Sequence, residues 1–173
     1  MNATRAVVMA RVVGIVIVAV VVQVRVAASL TLWGVRPELT LLLALAAGVA
    51  GGPDRGAVVG FFLGLAYDLF LQSPLGLTAL VYAMVAYAAG AMQVRMASHR
   101  PTTRMLFVGL GSAVSILLWV VVGRLLDAVA PTPVEALRVA AALAGAVNAA
   151  VGLPATRLWA WVFAPEAPTR IGP

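Results

Sequence analysis

Apolar residues run almost unbroken along this chain, and the places where they stop define its elements. Val12–Val24 is interrupted only by Gly14, Ala19 and Gln23, and apolar character resumes through Leu30-Thr31-Leu32-Trp33. Arg36-Pro37-Glu38 then opens a Leu/Ala run that Gly51-Gly52-Pro53 ends. Pro suits a first helical turn and Glu complements the dipole there. Pro53-Asp54-Arg55-Gly56 and Pro74-Leu75-Gly76-Leu77 bracket a third run, GAVVGFFLGLAYDLFLQS. Beyond it the uncharged stretches recur at membrane length: Leu69–Val94, Met105–Gly123 and Val139–Thr156. A helix needs roughly 20 mostly apolar residues to cross a ~30 Å hydrocarbon core. The pattern therefore predicts an all-α integral membrane protein, a six-transmembrane-helix bundle. Its expected helices cover about 8–32, 38–51, 55–71, 76–93, 105–126 and 134–156 in one domain, 1–164, with a disordered cytoplasmic tail at 165–173.

Three points qualify this pattern. Val26-Ala27-Ala28 before Ser29 resembles a signal-peptidase site. Arg25 just upstream and the continuing apolar run argue for a retained first span. Helices two and three are short, ~23 Å at 1.5 Å per residue, so a re-entrant hairpin competes with two tilted spans. Two spans are preferred, because Pro-Asp-Arg at mid-depth would be costly. Trp159, Trp161 and Phe163 are expected as an aromatic anchor at the membrane edge.

Composition narrows the class. Of 173 residues, 63% are hydrophobic and only 10% charged, against about a quarter in soluble domains. Mean hydropathy is +1.05. The net charge of +6 is that of twelve arginines against six acids, since the chain has no lysine. The arginines stand singly at the ends of apolar runs rather than clustered with aromatics, which excludes a nucleic-acid partner. With six crossings and both termini cytoplasmic, eight arginines lie inside (Arg5, Arg11, Arg55, Arg95, Arg100, Arg104, Arg157, Arg170) and four outside (Arg25, Arg36, Arg124, Arg138). That is the asymmetry of the positive-inside rule, in a multi-pass protein of the cytoplasmic membrane. The absence of cysteine removes disulfides and thiol chemistry.

Within the third run, Gly56, Gly60, Gly64 and Asp68 are spaced four apart and share one helical stripe. Two readings stand: tight packing inside the bundle, or a groove that receives a partner helix. A carboxylate completing such a stripe must face protein or water. Arg25 lies eight residues before Trp33, ~12 Å below the outer boundary. It either snorkels to the surface or pairs with Asp68, with Glu38 the competing partner.

Little points to catalysis. His99, the only histidine, sits in a basic loop beside Arg100-Pro101 with no neighbouring nucleophile or carboxylate. The six acids, Glu38, Asp54, Asp68, Asp127, Glu135 and Glu166, are scattered, mostly at helix ends. No cluster has metal-ligand spacing, and no phosphate loop is present. The expectation is a non-enzyme with no metal and no cofactor. Asn148 reads as an interhelical hydrogen-bonding group.

Arg36-Pro37-Glu38-Leu39, Gly52-Pro53-Asp54-Arg55-Gly56, Gly60-Phe61, Gly64-Leu65, Asp68-Leu69 and Pro74-Leu75-Gly76-Leu77, in that order, resemble the rod shape-determining protein MreD family. Glu38 stands where Asp is more usual in that family. The resemblance implies a fold similar to the substrate-binding subunits of energy-coupling-factor transporters. It also implies a scaffold role in lateral peptidoglycan synthesis. The implied partners are a single-span MreC-like protein and the elongation complex with MreB, RodA and a class B penicillin-binding protein. The shared fold also raises an alternative, a subunit that binds a small vitamin-like solute, since Asp68, Arg25, Gln72 and Glu38 gather toward the outer side.

Overall fold

The computed structural model describes residues 3–25, 38–71, 74–96, 100–125, 132, 134 and 148–164. These residues form six helices: α1 (Ala3–Arg25), α2 (Leu39–Gly51), α3 (Pro53–Asp68), α4 (Leu77–Met96), α5 (Pro101–Leu125) and α6 (Asn148–Phe163). Among the described residues there is no strand. Among the described residues, three helices are long and apolar enough to cross a membrane: Ala6–Arg25 of α1, α4 and α5.

The helix ends follow from local chemistry. Gly52 has φ of 87°, a conformation only glycine adopts freely, and its N–H donates to the Gly48 carbonyl at 2.9 Å. Pro53 starts α3 at once, where its missing N–H costs nothing. Gly76, with φ of 95°, performs the second reversal, and the Leu80 N–H donates to its carbonyl at 2.9 Å. Pro101 begins α5, so Thr102, Thr103 and Arg104 belong to the helix rather than to the loop that their polarity suggested. At the end of α4, Arg95 and Met96 are likewise helical, because Gln, Arg and Met are good helix formers whatever their polarity. His99 lies outside the described residues, as do Asp127, Glu135, Glu166, Gln72, the tail from 165 on, and most of the sixth predicted helix up to residue 147.

α6 corrects the expected aromatic anchor. Gly152, Ala155, Thr156, Trp159 and Val162 are buried, a three-and-four spacing that marks one helix face. The helix continues through Pro154 to Phe163. Trp159 is fully buried and stacks on Phe163 with ring centroids 5.4 Å apart. Of the three aromatics, Trp161 is the exposed one.

α2 lies at the centre. Thr40 through Val49 are buried except Leu43, as expected for a helix that is apolar all round. α3 and α4 pack on it and on each other, and α5 and α6 close the remaining sides. α1 touches the bundle lightly, leaving Val13, Ile17, Val18 and Val21 exposed.

Candidate functional site

The glycine stripe of α3 faces inward. A methyl group built on Gly56 would lie 2.5 Å from the Gly48 Cα and 2.8 Å from the Ala86 carbonyl oxygen. On Gly60 it would lie 2.7 Å from the Tyr82 carbonyl oxygen, and on Gly64 2.5 Å from the Ala79 Cα. Gly48 of α2 and Gly90 of α4 are equally closed by opposing backbone. The result is a seam in which α2, α3 and α4 meet backbone to backbone. Its attraction comes from dense van der Waals contact over the whole length. Of the two readings of the stripe, packing within the chain is the one this geometry has room for. A partner helix would find the face already covered by α4 and α2.

Asp68 ends the stripe, only 1% exposed. Its Oδ2 accepts from the Gly76 N–H at 2.9 Å and from the Ala79 N–H at 3.3 Å. Both groups belong to the start of α4, whose first N–H groups have no intrahelical partner. A carboxylate there also complements the dipole of α4. Asp68 thus caps the next helix from across the Pro74-Leu75-Gly76 turn, and no ion pair joins it to Arg25 among the described residues. Arg25 is exposed as the last residue of α1, where a cation suits the helix dipole.

Glu38 has a different neighbour again. The Tyr82 hydroxyl donates to its Oε2 at 3.3 Å, and the Thr40 hydroxyl lies 3.3 Å from the same Tyr82 oxygen. Beside them, Gln23 of α1 is buried, and its Oε1 accepts the Leu39 N–H at 2.7 Å. One side chain from α1 therefore satisfies the first orphan donor of α2. Of the two readings of Arg25, the pair with Asp68 or Glu38 is not formed among the described residues, and the polar groups bond at two helix starts: Gln23, Glu38, Thr40 and Tyr82 at the start of α2, and Asp68 at the start of α4. Gln23 carried a readable signal, being the only polar side chain between Arg11 and Arg25.

At the opposite end of α2, cations lie over aromatic rings. The Arg11 guanidinium stands 4.6 Å from the Trp161 ring centroid, and that of Arg55 stands 5.1 Å from Phe163. These contacts tie α1 and α3 to α6.

An open groove of about 430 Å³ runs between α1, α2 and α6. Gly14, Val18 and Val22 line one wall, Leu39 and Leu42 the floor, and Pro154 and Leu158 the other wall. Nothing lies within 4 Å of a methyl group built on Gly14.

Neither the curated proteins nor the solved structures gave a match. The model of the family described as rod shape-determining protein MreD matches residues 4–129, a span that holds the glycine seam, both polar helix ends and the whole of α1 through α5 except its first residue, and the chain belongs to that family.

Proposed function

We propose that this protein is a non-enzymatic membrane scaffold that binds an MreC-like single-span protein and supports lateral peptidoglycan synthesis in the elongation complex with MreB, RodA and a class B penicillin-binding protein. Family membership itself gives the coarser assignment, a part in rod shape determination. Under this reading all six helices cross the cytoplasmic membrane, with both termini in the cytoplasm and a bundle similar to that of energy-coupling-factor substrate-binding subunits.

The observation that supports the reading best is the contrast between a sealed glycine seam and an open apolar groove. In lipid, helices associate through close packing rather than through the hydrophobic effect. A groove walled by Gly14, Val18 and Leu158 offers a partner span the close approach that the seam has already used. The vitamin-binding alternative is disfavoured because the carboxylates it would use are already engaged, Asp68 by the Gly76 and Ala79 N–H groups and Glu38 by the Tyr82 hydroxyl, whereas a polar solute needs a few convergent polar groups in its pocket.

The test is co-purification with the host's MreC-like protein after gentle solubilisation. Wild-type protein is expected to retain it. Gly14→Leu and Val18→Trp, which crowd the groove, are expected to cut recovery at least about tenfold, equivalent to 1.4 kcal/mol, while melting like wild type. Full recovery with either variant removes the groove as the docking site. No recovery with well-folded wild type removes the scaffold reading itself.

A further inference from the structure

The α4–α5 hairpin end carries positive charge that nothing acidic in its own part of the chain balances. No Asp or Glu occurs between Asp68 and Asp127. Arg95 lies in the last turn of α4 and Arg104 in the first turns of α5, so the antiparallel pair brings both within about one turn of the tip. Arg100 directly precedes α5. Arg104 stands at a helix N-terminus, where the dipole disfavours a cation and favours an anion. Its Nε is buried with no hydrogen-bond partner among the described residues.

The hairpin also reaches past the α2–α3 turn. α4 passes the α2–α3 turn at Gly90, where a methyl group would lie 2.7 Å from Gly52 and Pro53 backbone atoms. The helix then runs on to Met96, about 9 Å further at 1.5 Å per residue. Asp54, in the first turn of α3, is left behind at the level of that turn. The projecting segment is not a soluble tip, however. Met92, Val94 and Met96 of α4 and Leu106 and Leu110 of α5 are all exposed, so apolar side chains stand at the same level as the arginines. In water that arrangement would leave a bare apolar collar. In a bilayer the collar meets acyl chains, and guanidinium groups at its rim meet phosphates.

We infer that the last turn of α4 and the first turns of α5 form a binding site for the headgroup of an anionic phospholipid, with Arg95 and Arg104 contacting the phosphate and Met92, Val94, Leu106 and Leu110 contacting its acyl chains. Arginine suits this role because its planar fork binds phosphate oxygens in pairs. The apolar collar is what selects a lipid over an acidic soluble protein.

The experiment is native mass spectrometry of the full chain with equal amounts of phosphatidylglycerol and phosphatidylcholine of the same acyl length. Wild type is expected to retain phosphatidylglycerol preferentially, with a preference that weakens as ionic strength rises. The Arg95→Gln/Arg104→Gln variant is expected to lose about fivefold of that preference per arginine. Arg95→Lys/Arg104→Lys, which keeps the charge but not the fork, is expected to fall between wild type and the glutamine variant, and Arg124→Gln, at the far end of α5, to retain the preference. Circular dichroism confirms that each variant is folded. Equal retention of the two lipids by wild type, or an undiminished preference in the folded glutamine variant, overturns the proposal.

Discussion

α3 and α1 are both apolar helices punctuated by glycine, yet the bundle uses them in opposite ways. Along α3 each stripe glycine meets the backbone of another helix, and no side chain larger than hydrogen has space. Along α1, Gly14 meets nothing within 4 Å, and most of the helix surface is free. Where glycine removes a side chain that would clash, it fixes the fold. Where it faces open space it is conformationally costly to its helix, and it leaves room for something outside the chain. Glycine spacing alone does not separate these roles; the backbone of the neighbouring helix does.

The comparison can be broken most forcefully at the seam. Gly64→Leu drives four heavy atoms into the Ala79 and Thr78 backbone, which cannot yield without parting α3 from α4. We expect a loss of more than about 3 kcal/mol, read as loss of the monodisperse peak in detergent chromatography with or without any partner. A weaker effect is expected where side chains, not backbone, make the contact. Asp68→Ala strands the Gly76 and Ala79 N–H groups in a buried corner and should cost about 2 kcal/mol, seen as a lower melting temperature. The hydrogen bond from the Leu39 N–H to Gln23 ties α1 to α2. Gln23→Leu should cost about 1 kcal/mol. It should also raise amide exchange at the start of α2 while leaving the α3–α4 seam protected.

Much of this was legible beforehand, and the misses have physical causes. The stripe was readable because small residues four apart define a face whatever lies opposite; that α2 and α4 close this face was not. The place of Asp68 on that face also followed, but neither its burial nor its partner did. Capping across a turn depends on where the next helix begins, and Gly76 sets that through a positive φ. Arg95 and Arg104 read as loop because they are polar, although arginine is as good a helix former as leucine. Trp159 read as an interfacial anchor because aromatics near an apolar boundary usually are. The burial of Gly152, Ala155, Thr156, Trp159 and Val162 on one stripe was the competing signal, and it outweighed the helix-breaking tendency of Pro154. Gln23 looked like a flaw in an apolar run until the N-terminus of α2 supplied its partner.

The central claim, that the glycine stripe is consumed inside the chain while α1 is left open, reduces to one methyl group in each region. The melting temperatures of Gly60→Ala and Gly14→Ala should be measured side by side in the same detergent, without partner. The account predicts opposite signs. Gly60→Ala is destabilised, because its new methyl would lie 2.7 Å from the Tyr82 carbonyl oxygen. Gly14→Ala is unchanged or stabilised by up to about 1 kcal/mol, because alanine is the better helix former and meets no obstacle. If Gly60→Ala melts at or above the wild-type temperature, the seam is not packed as described and the stripe is available to a partner after all.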